Sequence, residues 1–325
     1  MKVEPQRVLV TGGAGFIGAS LVAAHRKAGA PVTVLDQIGW PDATRLHPFD
    51  GDEHFRYHQI KVDDPDRLTQ LLEGHEVVYH LSANTENRGD RASRSADLDS
   101  TVVGTVALLE AIAKLKEQTV RSVVLTSSQL VYAPRPASER ITEQNGALAP
   151  TSRFAAGKMA AEGFLSAYAH ELGLTAVACR LSNIVGAGML RGIVHDLVQR
   201  LLLDPHQITL LGDGRQTRSY LHVDDCVAAL VALATVETGG YEVFNVCNTD
   251  MISAEEVASI VAEEAPHGTP TVITGRGETG WQGDVPTLAV WPERLLGHGW
   301  QPARNSGEAV RAVVSALLAA RPTGL

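Results

Sequence analysis

Positive charge is in deficit: Lys and Arg total 28 against 37 Asp and Glu, a formal net charge of −9. A field of that sign disfavours a chain whose main work is gripping nucleic acid or an anionic membrane surface, since both attract cations. Aromatic residues make up only 5%, and the three cysteines, Cys179, Cys226 and Cys247, include no CxxC pair. Neither a disulfide framework nor a cysteine zinc site is indicated, and all three are expected to be small buried residues. No apolar run nears the ~20 residues of a bilayer span, and Met1 to Arg7 lacks the apolar core of a secretion signal. The expectation is a soluble, cytoplasmic protein of one large or two modest domains, with no nucleic-acid or membrane partner.

What is present is βαβ punctuation. Short β-branched runs (Val8 to Val10, Val32 to Leu35) alternate with Ala/Leu-rich segments at helical period, such as Ala19 to Ala28. Further buried-strand candidates are Val77 to Leu81, Ser122 to Ser127 and Thr175 to Arg180. This pattern predicts a Rossmann-type, doubly wound parallel sheet over residues 1–180. Residues 181–325 read as a smaller, mixed α/β region with strands near Ile208, Tyr220 and Val243, some segments of which are free to cross back to the first sheet. Ser253 and Glu256 form a capping-box signature, which is structural.

Directly after the first strand stands Thr11-Gly12-Gly13-Ala14-Gly15-Phe16-Ile17-Gly18, leading into a helix. Gly12 permits a tight turn, Gly15 lets the backbone approach a pyrophosphate, and Gly18 allows close helix packing; the helix N-terminus adds amides and a positive dipole. The second strand ends in Asp36, placed to accept hydrogen bonds from an adenosine ribose and to repel a 2′-phosphate, so NAD is favoured over NADP. Asp63, after the third strand, is a candidate for the adenine, though Asp63-Asp64-Pro65-Asp66 reads equally as a helix cap cluster.

With these residues, and with Tyr79 to Ala83, Leu125 to Tyr132, Arg180 to Gly188 and Gly212 to Asp225 following in order, nearly the whole chain resembles the extended short-chain dehydrogenase/reductases. The likeness is to the nucleotide-sugar epimerase/dehydratase branch, of the UDP-glucose 4-epimerase type. The resemblance implies a retained NAD that takes a hydride from a sugar hydroxyl carbon and later returns it. It implies that Phe16, Ile17, Leu81, Ser82 and Ala83 join the glycines around NAD, that Ser128 hydrogen-bonds the reacting oxygen, and that Lys158 holds the nicotinamide ribose. The family's acid/base tyrosine, four residues before that lysine, falls on Phe154.

Phe154 and Lys158 are i and i+4 on a helix expected from about Ser152, so they share a face. A phenyl ring exchanges no proton, so the usual mechanism does not transfer intact. Ser128 acting through water, Tyr132, Tyr220, Cys179, Glu86 or an ionised substrate group are the candidates for the missing function. The dehydratases and decarboxylases of the branch carry a carboxylate just after the catalytic hydroxyl; here Gln129 and Leu130 stand there, a pattern closer to the epimerases.

On the substrate side the resemblance assigns Asn183 and Arg218 to the phosphates of a nucleotide sugar, a planar guanidinium suiting a diphosphate, and Thr85 to substrate binding. Trp281 occupies the place of a second phosphate-binding arginine, and Ser219 that of a common aspartate; Arg276 is a possible replacement cation. His80 and His222 have no partners at metal-ligand spacing, so no metal is expected. The resemblance also implies a homodimer through the helices near Val102 to Lys116 and around Lys158. Two other readings stay open: a net NAD(H)-dependent dehydrogenase or reductase of a free or amino sugar or a natural-product intermediate, and a non-catalytic NAD-binding protein.

Overall fold

The computed structural model describes residues 6–84, 97–136, 138–236, 239–275, 277 and 287–320. Two compact units emerge from the packing. The first gathers Met1–Val131, Pro150–Arg180 and Val227–Phe244; the second gathers Tyr132–Ala149, Leu181–Cys226 and Asn245–Leu325.

The first unit is built on β1 (Val8–Thr11), α1 (Phe16–Lys27), β2 (Val32–Asp36), β3 (Phe55–Gln59), α2 (Pro65–Leu72) and β4 (Val77–His80). A π-helical turn over Asp97–Val103 runs into α3 (Gly104–Ala113), followed by β5 (Ser122–Ser128), α4 (Arg153–Leu172) and β6 (Thr175–Leu181). The strands order β11-β6-β5-β4-β1-β2-β3 in one seven-stranded sheet, where β11 is Tyr241–Val246. Pairs β1–β2, β1–β4, β2–β3 and β4–β5 are parallel. The Rossmann-type doubly wound architecture is therefore present, and the near-continuous burial of β1, β4 and β5 is what a sheet covered on both faces demands. The strand near Val243 belongs to this sheet: Ala176 N–H donates to the Gly240 carbonyl, bringing β11 in as the edge beside β6.

A core of Leu9, Leu35, Leu68, Leu108, Ile112 and Leu165 fills one face of that sheet. Helix α4 starts at Ser152, whose hydroxyl accepts from Ala155 N–H, and ends at Gly173 in the left-handed conformation (φ 66°). Those two caps hold the segment carrying Phe154 and Lys158 in register.

The second unit comprises β7 (Asn183–Val185), α5 (Ile193–Leu203), β8 (Gln207–Thr209), β9 (Thr217–Arg218) and β10 (Tyr220–His222), with α6 (Val223–Leu233) leading out of it. It continues with β12 (Ile252–Ser253), α7 (Ala254–Glu263), β13 (Thr271–Ile273), α8 (Glu293–Gly297) and α9 (Ser306–Ala319). Among the described residues its strands form two-stranded ladders, β10 with β7, β12 with β9 and β13 with β8, and Thr217 of β9 also bridges Thr287. The capping box at Ser253 and Glu256 is formed, and a second one joins Asn305 to Glu308. All three cysteines are buried thiols. Among the described residues no helix is long and apolar enough to cross a membrane.

Candidate active site

The glycine-rich turn sits at the carboxyl end of β1. Gly12 takes a left-handed φ of 70°, and a Cβ there would fall 2.8 Å from the Ser82 amide nitrogen. A Cβ on Gly18 would lie 2.3 Å from the Gly12 carbonyl oxygen and 2.7 Å from the Gly13 Cα, so helix α1 packs on the turn only because position 18 has no side chain. Gly15 is the N-cap of α1 and offers no side chain to the first-turn amides; Phe16 and Ile17 open the helix behind it. An anion is the natural partner of such a bare helix N-terminus on a glycine turn.

Asp36, 8% exposed at the end of β2, accepts from Ala14 N–H (3.0 Å) and Ile38 N–H (3.1 Å), one amide on each carboxylate oxygen. A carboxylate has about four acceptor sites, so acceptor capacity beyond these two amides is available to a diol. Leu81, Ser82 and Ala83 follow β4 beside this turn: Leu81 N–H donates to the Thr11 carbonyl and Ser82 N–H to the Thr11 hydroxyl. Asp63 is half-exposed and paired with Lys61 at 3.0 Å, while Asp64 beside it caps α2 through the Asp66 and Arg67 amides. The acidic cluster is thus in part a helix cap.

Under the turn runs a directed hydrogen-bond chain whose central member is His80. Thr105 Oγ1 donates to the Thr101 carbonyl, so it accepts from His80 Nε2–H (3.0 Å); Nδ1 then accepts from the Thr11 hydroxyl (2.7 Å), which in turn accepts Ser82 N–H (3.2 Å). Burial, assisted by the charge of Lys158, lowers His80 to about 3, so the ring stays neutral and the chain keeps its direction. Asn84 ties the same region to the π-helical turn, donating from N–H to Thr101 Oγ1 and from Nδ2 to Asp97 Oδ1.

At the carboxyl end of β5, Ser128 is 8% exposed and its Oγ accepts Leu130 N–H (3.2 Å). Its own proton has no acceptor among the described residues. Gln129 follows in a short 3₁₀ turn, buried, with Oε1 unpaired. On the first two turns of α4, Phe154 is half-buried and Lys158 only 5% exposed. Lys158 Nζ donates to the Thr126 carbonyl at 2.7 Å, and burial lowers its pKa to about 8, against a smaller upward pull from Glu162. Glu162 itself is saturated. Its Oε1 accepts from Ser127 Oγ (2.5 Å) and Arg180 Nε (3.0 Å), and its Oε2 from Arg180 Nη2 (2.6 Å) and the Tyr241 hydroxyl (3.4 Å).

Asn183 and Arg218 belong to the second unit. Asn183 pairs with Tyr220 in the β7–β10 ladder, and Arg218 stands two residues before Tyr220, its Nη1 donating to the Thr217 carbonyl. Ser219 accepts Asn248 N–H (2.8 Å) and is buried, which explains a small hydroxyl there. Tyr132 is spent: its hydroxyl donates to Asn245 Oδ1 at 2.8 Å inside the second unit. Tyr220 and Cys179 are likewise buried. Thr85, Glu86, Arg276 and Trp281 lie outside the described residues.

These motifs are arranged as one family arranges them, and the NAD dependent epimerase/dehydratase family model matches residues 8–247. The chain belongs to that family. This family enzyme is 35% identical over 263 residues to the UDP-glucose 4-epimerase of Mycolicibacterium smegmatis, covering 79% of this chain and 82% of the relative. It is 32% identical over 274 residues to the dTDP-glucose 4,6-dehydratase of Streptomyces griseus, covering 79% and 78%. Among solved structures, MoeE5 in complex with UDP-glucuronic acid and NAD is similar with a TM-score of 0.82 at 27% identity, covering 97% of this chain and all of that one. NAD is the family's cofactor. The first unit fits it on its own evidence: the N-terminus of α1 at Gly15 has no side-chain cap, and the buried Asp36 carboxylate beside it keeps acceptor capacity beyond its two amides.

Proposed function

We propose that this enzyme is a nucleotide-sugar epimerase-like catalyst that oxidises a sugar hydroxyl transiently and works with an altered proton relay. The observation that carries the reading is the grouping, in one unit, of the glycine cradle, Asp36, Ser128 with an uncommitted hydroxyl proton, and buried Lys158. Bound NAD supplies reversible hydride acceptance. The amides of Gly15, Phe16 and Ile17 hold its pyrophosphate, Asp36 its adenosine ribose, Lys158 its other ribose, and Leu81 to Ala83 line it. Ser128 donates to the reacting sugar oxygen. Asn183 and Arg218, with Thr85 and Trp281, hold the nucleotide-sugar side. Phe154 stands where the family's tyrosine would be. The uncharged Gln129 and Leu130 after Ser128 support epimerase-like chemistry over water elimination, for which a carboxylate at that place would be the proton donor or acceptor.

The test is to denature the purified protein, identify any released nucleotide by mass spectrometry, and follow UDP- and dTDP-sugars for inversion at a ring carbon. Near-stoichiometric NAD with inversion is the expected result. An empty protein that binds NADH reversibly and reduces a free sugar would overturn it in favour of a net reductase.

The proposal includes a cytoplasmic homodimer formed through α3 and α4. Exposed Phe164 on α4 and Val103 just before α3, 42% and 46% accessible, support that face as the contact. Light scattering that returns a monomer mass of 34.6 kDa would remove the dimer.

A further inference from the structure

We propose that Lys158 Nζ is itself the group that takes and returns the reacting proton, an assignment that rests on the function proposed above. Phe154, one turn earlier on the same helix, has no exchangeable proton, the Tyr132 hydroxyl donates to Asn245, the Ser128 hydroxyl is assigned to hydrogen-bonding the reacting oxygen, and Glu86 lies outside the described residues. Lys158 combines burial, a titratable nitrogen and capacity beyond its bond to Thr126. One N–H is held by the Thr126 carbonyl at 2.7 Å, which fixes the nitrogen near the end of β5, two residues before Ser128. Of its two remaining positions, neither partnered among the described residues, one is left for the nicotinamide ribose and one for the reacting oxygen.

The surroundings explain why this amine can lose a proton. The nearest carboxylate along the helix, Glu162, has its charge neutralised by Arg180 of β6 and its oxygens occupied by Ser127 and Tyr241. His80 of β4 is neutral. Asp97 of the π-helical turn, whose backbone carbonyl faces Gly157, has its carboxylate taken by Asn84. Glu110 of α3 is bonded to Tyr168, further along α4. No carboxylate is within ion-pair reach of Nζ among the described residues, and burial brings its pKa down to about 8, so an appreciable fraction is neutral near physiological pH.

In the forward half-reaction the neutral amine accepts the sugar hydroxyl proton, forming N–H as O–H breaks. Bound NAD would supply the acceptor for the hydride from the same carbon, so that the sugar would be left as a ketone and Lys158 as an ammonium. The return reverses each bond. Ser128 keeps the reacting oxygen hydrogen-bonded throughout.

The chain has six lysines, so a sample labelled with ¹³C at lysine Cε gives six signals, and the one missing in Lys158→Arg is Lys158. In NAD-loaded protein its titration midpoint is expected near 8, while Lys61 and Lys114 titrate above the ordinary lysine value because Asp63 and Asp66 pair with them. The pH–rate midpoint for sugar inversion should coincide with that of Lys158. Lys158→Arg, which keeps the cation and cannot give up its proton, should retain NAD by mass spectrometry and lose about 10²–10⁴-fold in inversion rate. A Lys158 midpoint at or above 10, a rate midpoint that departs from it, or an active Lys158→Arg overturns the assignment and leaves the proposed function standing. If no nucleotide sugar is turned over, the function fails and the assignment with it. Should Lys158→Arg not fold, Phe154→Tyr assigns the signal by its shift, and the coincidence of the two wild-type midpoints still decides.

Discussion

Replacing Glu162 by Gln removes the carboxylate that pairs with buried Arg180 and lies on the same helix as a second buried cation, Lys158, the two 4% and 5% exposed. The isosteric amide retains one acceptor oxygen where four donors now converge, and it turns its own N–H₂ toward the guanidinium or toward Ser127 and Tyr241. Breaking a buried ion pair from one side costs about 3–5 kcal/mol, because the surviving charge is stranded in a medium that solvates it poorly. Against a typical total of ~5–15 kcal/mol, that leaves the enzyme near its folding threshold. The assay is urea unfolding at pH 7 of wild type, Glu162→Gln, Arg180→Met and the double variant. The double variant should lose less stability than Glu162→Gln alone, since it strands no arginine. A second readout is Lys158, whose midpoint should fall below about 8 once the upward pull of Glu162 is gone. A Glu162→Gln loss under about 1 kcal/mol, or full additivity in the cycle, would refute the reasoning.

Gly18→Ala places a Cβ 2.3 Å from the Gly12 carbonyl, a backbone contact that no rotamer relieves; NAD content after purification should drop to background, and wild-type content would contradict the cradle. His80 is held to about 3 in the fold against 6.5 in the open chain, so the unfolded state alone takes up a proton between those values. The His80 contribution should be level above pH 6.5 and fall by up to about 5 kcal/mol as pH drops toward 3, so His80→Gln should reduce the acid-side slope in pH-dependent urea melts. Phe154→Tyr restores a phenol one turn before Lys158 and is expected to raise inversion of nucleotide sugars by about 10²-fold; no gain across a broad panel would count against an otherwise ordinary pocket.

Much of the first unit was legible because its signals are local. Gly12, Gly15 and Gly18 follow a strand and open a helix, Asp36 ends the next strand, and Ser152 opens the helix that carries Phe154 and Lys158. Each of these rests on backbone preference or on i to i+4 geometry, which a single stretch of chain determines. The strand near Val243 shows where such reading stops. Its β-branched pattern was visible, but its membership in the seven-stranded sheet depends on an edge position beside β6 that no local pattern encodes.

The sequence by itself determined the glycine turn before α1, the acidic residue that ends β2, the place of the lysine on α4 and the missing phenol one turn before it. Only the tertiary structure decided what each side chain is free to do. Tyr132 is spent on Asn245, 113 residues away, and Glu162 is saturated by Ser127, Arg180 and Tyr241, drawn from two strands and the sheet edge. Lys158 is left buried without a counterion. Hydrogen-bond commitment and desolvation are sums over neighbours brought together by folding, so the proton affinity of a lysine is a property of its packed surroundings, whereas its place on a helix face is already written in the spacing of residues.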